Sequence, residues 1–427
     1  MDTFGPFYSS TGICTDTRKI ESGSLFVCIQ GDNFNGNTFS EKALELGASH
    51  VIVDDPEYFT KPEKMTLVQN SIVYLQDLAL HHRRKFDIPV IGITGSNGKT
   101  TSKELINAVL SKKYNVLATQ GNLNNHLGVP FTLLRMNDAH EIAIIEMGAN
   151  RFRDIEELCA IAEPTHGIIT NIGKAHLEGF GGFEGVLKTK RELYEAVSAN
   201  KGLLVYNVDD PVLAEALPDD VKTLSYGTGE GDIRGELLGL RPFVEMKWHS
   251  GSYASPALST QMIGKYNFYN FLAAAAFGHL FEVPNDTISE ALTEYKPANN
   301  RSQVVTTTHN TLIMDCYNAN PTSMKSALES FAMMDHPDKL VILGDMKELG
   351  EDTEKEHQNT IEQCTELGLK GFTVGTAFRA VESTNMQLQV ETTTELLDQL
   401  ESHPVQGKLI LLKGSRGIGL EVLQSVL

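Results

Sequence analysis

Cysteine is scarce in this 427-residue chain: Cys14, Cys28, Cys159, Cys316 and Cys364 are odd in number and widely spaced, with no C-x-x-C pair and no histidine cluster beside them. The usual marks of a disulfide framework are therefore missing, and a reducing cytoplasm is the expected location. Positive charge is in deficit too, with 36 Lys and Arg against 55 Asp and Glu and a net charge of −19. Such a surface repels phosphate backbones and anionic lipid headgroups, which argues against nucleic acid and membranes as partners. A phosphorylated ligand would have to be received by local N–H donors and a few placed cations. Long apolar runs are absent: the most apolar region, 268–283, is interrupted by Asn270, His279 and Glu282. The opening Met1-Asp2-Thr3-Phe4-Gly5 lacks a basic start followed by an apolar stretch. No membrane insertion and no secretion signal are expected. Internal repeats and biased tracts are also lacking.

What remains is a globular balance, 41% hydrophobic and 21% charged, in a chain long enough for two or three domains. In the first eighty or so residues, short apolar runs at 25–29, 50–53 and 72–75 alternate with a helical stretch at 38–46, which reads as a small α/β domain. From 90 onward, apolar runs at 90–93, 142–147, 167–172 and 203–208 are each followed by helix-like or Gly-rich sequence, as a parallel sheet with crossover helices requires. Short alternating runs between 226 and 260 predict a β-rich excursion before a helix at 269–281. Beyond the Pro and Asn run at 296–301, a candidate hinge, four more apolar runs (312–316, 340–343, 371–374, 409–412) with intervening helices predict a doubly wound unit. The fold class is α/β in three domains, with boundaries at 1–83, 84–298 and 299–427.

The strongest chemical signal is Thr94-Gly95-Ser96-Asn97-Gly98-Lys99-Thr100-Thr101, placed where an apolar strand meets a helix start. Glycines let the backbone curl its N–H groups inward, the helix dipole adds positive potential, Lys99 can reach terminal phosphates, and the Thr100 hydroxyl can ligate Mg²⁺. An ATP or GTP site follows. The loop is a variant, since Ile93 stands where the general G-x-x-x-x-G-K-[ST] pattern has its first glycine. Other residues are ambiguous by themselves. Glu146 ends an apolar run beside the loop strand and is either a metal ligand or a surface carboxylate. His176 could be a loop histidine, because Mg²⁺ prefers oxygen. Lys190 lies in a charged helix whose polar residues would ordinarily be solvated, and Asn270 could simply start a helix. Lys413-Gly414-Ser415-Arg416-Gly417-Ile418-Gly419 has the wrong spacing for a dinucleotide fingerprint and reads as a turn facing the reaction site.

The loop form T-G-x-N-G-K-T, together with Gly121 to Pro130 (GNLNNHLGVP), Glu146-Met147-Gly148-Ala149, Asp315-Cys316-Tyr317-Asn318-Ala319-Asn320-Pro321 and Leu343 to Gly350 (LGDMKELG), resembles the Mur ligase family of peptidoglycan synthesis. The motifs span nearly the whole chain and look most like those of the branch that adds D-alanyl-D-alanine. Asp16-Thr17-Arg18 and Gly31-Asp32-Asn33-Phe34-Asn35-Gly36 resemble the family's uridine-nucleotide-binding segment. The resemblance implies an N-terminal UDP-sugar-binding domain, a central P-loop ATP-binding domain and a C-terminal Rossmann-like domain. It implies ATP and Mg²⁺ as cofactors, UDP-N-acetylmuramoyl-tripeptide and D-alanyl-D-alanine as substrates, and amide formation through an acyl phosphate; a monomer is expected, though the sequence itself does not disclose the oligomeric state. It further implies that Glu146, Thr100, His176 and a carbamylated Lys190 hold Mg²⁺, with Lys188 the neighbouring alternative to Lys190. Asn267 and Asn270 then lie near the adenine, with Tyr266 where histidine is usual, and Arg301 and Asp315 contact ATP. Thr17, Arg18, Asn33, Asn124, Asn125, Asn318 and Asn320 are the implied substrate contacts. Lys99, Lys190 and His176 are the implied catalytic residues.

Overall fold

The computed structural model describes residues 3–31, 33–173, 177–240, 242–297 and 301–427. The predicted site residue His176 and part of the predicted hinge, 298–300, lie outside them. Among the described residues no helix is long and apolar enough to cross a membrane.

Strand Val90–Thr94 is buried along its whole length and sits between Ile142–Glu146 and His166–Ile169, both parallel to it. A run of β-branched residues covered on both faces is what a central parallel strand requires. Leu203–Asn207 and Lys222–Gly227 extend this sheet on one side, and Val116–Ala118 closes the other. The excursion expected from 226–260 is the antiparallel continuation Ile233–Leu240, Phe243–Ser250 and Leu258–Ile263, with a register shift between Leu237 and Gly239. Helices Lys99–Leu110 and Lys265–Leu280 pack together over one face. The second is buried almost all round because its middle is Ala273 to Ala276, and a Cβ at Gly278 would stand 2.6 Å from a Val109 methyl. Small residues are needed for helices this close.

Four parallel strands, Ile13–Cys14, Leu25–Val27, His50–Val53 and Met65–Leu67, form the N-terminal sheet. The apolar run at 72–75 is not a strand. It is the first turn of helix Ser71–Arg83, whose leading N–H groups, from Ile72 and Val73, are taken by the Asn70 side chain at 2.8 and 2.9 Å. A capping asparagine redirects an apolar tetrapeptide that strand periodicity alone would claim. The far end of that helix is fastened to the central sheet's helices. His82 Nε2 lies 2.9 Å from the Met136 carbonyl, Arg83 donates to Ala162 O, and Arg84 pairs with Glu163.

The C-terminal sheet runs Gln303–Thr306, Thr311–Asp315, Leu409–Lys413, Lys339–Gly344, Gly371–Val374, Met386–Val390, antiparallel only in its first pair. Its four predicted inner strands are present. The two outermost, 303–306 and 386–390, are too polar to have been expected.

His166 begins its strand at the edge remote from the phosphate loop, with Nδ1 2.9 Å from Thr165 Oγ1 and its ring 5.1 Å from that of Phe281. Burial pushes its pKa from 6.5 down to about 4. The folded state holds it neutral, while the unfolded chain takes up a proton near pH 6.5. The stability contributed is therefore complete above pH 6.5 and lost as pH falls toward 4, at most about 3 kcal/mol. Urea midpoints of His166→Asn between pH 7 and 4.5 are expected to fall less steeply than those of the wild type. Parallel pH dependence in the two proteins would contradict this origin.

Candidate functional site

The carboxyl ends of Val90–Thr94, Ile142–Glu146, His166–Ile169 and Leu203–Asn207 open onto one edge of the central sheet, where ligands bind in open α/β folds. A cleft of about 1840 Å³ lies there, walled on its other side by the C-terminal sheet.

The phosphate loop is built tightly. Gly95 has φ +144°, and a Cβ there would lie 2.0 Å from Thr170 Oγ1; Gly98 has φ +80° and faces Asn270 Oδ1 at 3.0 Å from a Cβ position. Both therefore need glycine. Asn171 clasps the backbone of Asn97, accepting from its N–H at 3.0 Å and donating to its carbonyl at 2.8 Å. Ser96 is held through Oγ to Gly173 O at 3.1 Å. Thr94 lies wholly buried beneath the loop, donating to Met147 O. Helix Lys99–Leu110 starts directly after Gly98 without a side-chain cap, leaving its first N–H groups pointing into the cleft.

Lys99 is half-buried. Its ammonium curls back to Gly95 O at 2.6 Å and Ser96 O at 3.4 Å. Its pKa is lowered, first by burial and then by Arg301, with Glu146 opposing.

Glu146 is buried, and its Oε1 accepts from Thr100 Oγ1 at 3.0 Å and Asn124 Nδ2 at 2.8 Å. Its backbone N–H donates to Thr119 Oγ1. Oε2 has no partner. A buried carboxylate oxygen left unmatched beside a threonine hydroxyl is a hard-oxygen donor set suited to Mg²⁺.

Lys190 is buried on the inner face of helix Phe183–Ala199, its ammonium 5.7 Å from the Phe180 ring, whereas Lys188 is exposed over Phe152. The charged appearance of this helix does not make Lys190 solvated. Burial, followed by the nearby Lys99 charge, holds the Lys190 amine well below the usual lysine range. The alternation of Val186, Lys190, Leu193 and Val197 was the signal available in sequence, since these positions share one helical face.

Asn270 and Asn267 form a buried chain: Asn270 Nδ2 donates to Asn267 Oδ1 at 2.9 Å, Asn267 donates to Ile263 O at 2.7 Å, and Ser102 donates to Asn270 Oδ1 at 3.0 Å. Both line the cleft, as do Ser96 to Thr101, Glu146, Asn124, Asn125, Arg301, Asp315 and Asn318. Tyr266 bonds Ser302 Oγ through its hydroxyl at 2.7 Å. Asn125 Oδ1 accepts from Gly128 N at 2.9 Å in the turn that leads into helix Gly128–Leu133. Asn320 reaches the phosphate loop from the C-terminal side, donating to Asn97 Oδ1 at 2.7 Å, while its own Oδ1 caps helix Pro321–Ala332. Asp315 meets buried Lys413 at 2.7 Å, and the Arg301 guanidinium lies 3.7 Å from the Tyr317 ring centroid.

Thr17, Arg18 and Asn33 do not line this cleft. Arg18 is pinned to Asp16 at 2.8 Å, and Asp16 is thereby lowered to about 2, while Asn33 lies exposed in the turn after Gly31. The neighbouring Gln30 and Gly31 do reach the cleft. Sequence reasoning also missed Asp209, which accepts from Tyr269 OH at 3.2 Å on the cleft wall, and the Asp315–Lys413 pair.

Three family models match the chain: the Mur ligase family catalytic domain over residues 9–94, the Mur ligase middle domain over 93–278, and the Mur ligase glutamate ligase domain over 300–416. The UDP-N-acetylmuramoyl-tripeptide–D-alanyl-D-alanine ligase of Bacillus subtilis is 34% identical, covering 97% of this chain and 93% of that protein. A MurF crystal structure from Acinetobacter baumannii is similar at a TM-score of 0.89, 29% identical, over 99% of this chain and 97% of the other. The MurF ligase of Thermotoga maritima in complex with ADP has a TM-score of 0.89 at 26% identity, over 100% of this chain and 98% of the other.

Proposed function

The chain belongs to the Mur ligase family, and from that premise we propose that it joins D-alanyl-D-alanine to UDP-N-acetylmuramoyl-tripeptide at the expense of ATP, making the pentapeptide precursor of peptidoglycan. The observation that carries this reading is the two-sided cleft. A phosphate loop and an unmatched carboxylate face Arg301, Asp315 and Asn318 of a second sheet, and Asn97 bonds Asn320 across the gap. One wall can hold a nucleotide and an acid while the other brings in an amine.

Carboxylate and amine do not condense unaided. The tripeptide carboxylate takes the γ-phosphoryl group to become an acyl phosphate, the dipeptide amine adds to its carbonyl carbon, and phosphate leaves as the amide forms. The N–H groups of Ser96 to Thr100 cradle the phosphates. Lys99 leaves the loop carbonyls to meet the migrating charge, and Arg301 lies close enough to share it. Thr100, Glu146, His176 and a carbamylated Lys190 would hold Mg²⁺, which supplies charge neutralisation at the phosphates. The neutral amine favoured by burial at Lys190 is the form that adds CO₂. Asn267 and Asn270 border the adenine, and residues 1–83 present the UDP-sugar, with Thr17, Arg18 and Asn33 outside the main cleft as contacts to its uridine end. Residues 84–298 and 299–427 supply the two walls, and the protein works as a cytoplasmic monomer.

Incubation with UDP-N-acetylmuramoyl-tripeptide, D-alanyl-D-alanine and ATP is expected to give the pentapeptide mass and one ADP per product. Phosphate release independent of the dipeptide, with no new mass, would instead indicate a nucleotide-driven switch.

A further inference from the structure

The turn Lys413 to Gly419 follows the inner strand Leu409–Lys413 and faces the cleft, yet the reaction as described uses none of it. Arg416 stands exposed at its start. Among the described residues it has no carboxylate within salt-bridge distance, in a chain with 55 acidic residues to 36 basic ones. Its guanidinium carbon lies 5.5 Å from the centroid of the Tyr317 ring, the same ring against which Arg301 lies at 3.7 Å. One aromatic side chain thus orients two cations on the cleft wall.

The two have different neighbours. Arg301 is near enough to Lys99 to lower its pKa, which places it on the phosphate side. Lys413 is taken up by Asp315. Behind Arg416, the turn is tied to the loop of Asp345 to Lys347 by Ser415, whose N–H donates to Asp345 O and whose Oγ accepts from Lys347 N. That tie brings the Lys347 ammonium within 2.5 Å of where a Cβ on Gly417 would be. Among the described residues neither Arg416 nor Lys347 has a carboxylate within salt-bridge distance, although Glu348 lines the same cleft.

The geometry points to Arg416 as the residue that receives the C-terminal carboxylate of the incoming dipeptide. This rests on the dipeptide-adding reading above. An extended dipeptide spans about 7 Å, so a carboxylate held at Arg416 leaves the amine in the space before Arg301, where the activated carbonyl would lie. A planar guanidinium binds a carboxylate in two parallel hydrogen bonds, fixing the direction of the chain as well as its end.

The test compares D-alanyl-D-alanine with D-alanyl-D-alaninamide, which keeps the amine and loses the charge. Arg416→Met is expected to raise KM for the dipeptide about tenfold to a hundredfold, with KM for ATP and UDP-tripeptide altered less than about twofold. With the amide, variant and wild type should be alike, and Arg416→Lys should fall between them on the acid. An unchanged KM for the dipeptide in Arg416→Met, or a rise confined to ATP, overturns the assignment while the functional reading stands. Failure of the wild-type protein to ligate the dipeptide at all overturns both.

Discussion

Lys99→Ala is expected to lower turnover about a thousandfold or more while the protein stays folded. The two effects separate because the side chain does two jobs of unequal weight. In the free protein its ammonium only closes the loop on Gly95 O and Ser96 O, hydrogen bonds whose loss costs about 1 kcal/mol each. During reaction it is the loop's sole cation at the migrating phosphoryl group, and nothing else in Thr94 to Thr101 can replace it. Lys99→Arg should fare little better, because a planar fork does not fit where a compact ammonium is wrapped by carbonyls. Coupled ADP release and near-ultraviolet dichroism, measured on one preparation, check both halves. Turnover above about a tenth of wild type would contradict a transition-state role.

Lys190→Ala should reduce activity about a hundredfold or more, and short carboxylic acids should partly restore it by occupying the space a carbamate would fill. Lys188→Ala, altering an exposed lysine over Phe152, should behave as wild type. A readout independent of turnover is available. Isotope-labelled bicarbonate should give a carbamate carbonyl resonance in the wild type that is absent from Lys190→Ala. Rescue of the Lys188 variant, or a resonance surviving in Lys190→Ala, would move the modification elsewhere.

Much of the fold was written in the apolar runs. Strands such as 90–94, 142–146 and 409–413 are covered on both faces, so their sequences are nearly continuous hydrophobic stretches. Edge strands such as Met386–Val390 carry no such mark, because half their side chains meet solvent. The tetrapeptide at 72–75 misled because composition does not register a cap that lies one residue before the helix. At the site, the loop was legible since its chemistry is local, eight residues in a row. The Asp315–Lys413 contact was not, because it depends on two strands 98 residues apart lying in register. Lys190 stands between these cases: its residues look solvated, and only the helical period reveals that it shares a face with Val186 and Leu193.

The far end of helix Ser71–Arg83 and the strands before it lean on the central sheet for more than position. Leu25, Val27, Ile52, Leu75 and Leu78 belong to the same apolar cluster as Val129, Leu133, Leu158 and Leu204. A ribosome making this chain completes the first group by residue 78 and supplies Val129 to Leu158 about 50 to 80 residues afterwards, an interval of roughly 3 to 16 s at the usual pace of bacterial synthesis. Until then, the apolar side chains of this first group lack the central-sheet helices that cover them in the folded chain. The segment is therefore a dependent folding unit, and nascent chains arrested short of Val129 should remain open to protease and to chaperones along residues 25–78, however complete that sheet's own hydrogen bonding.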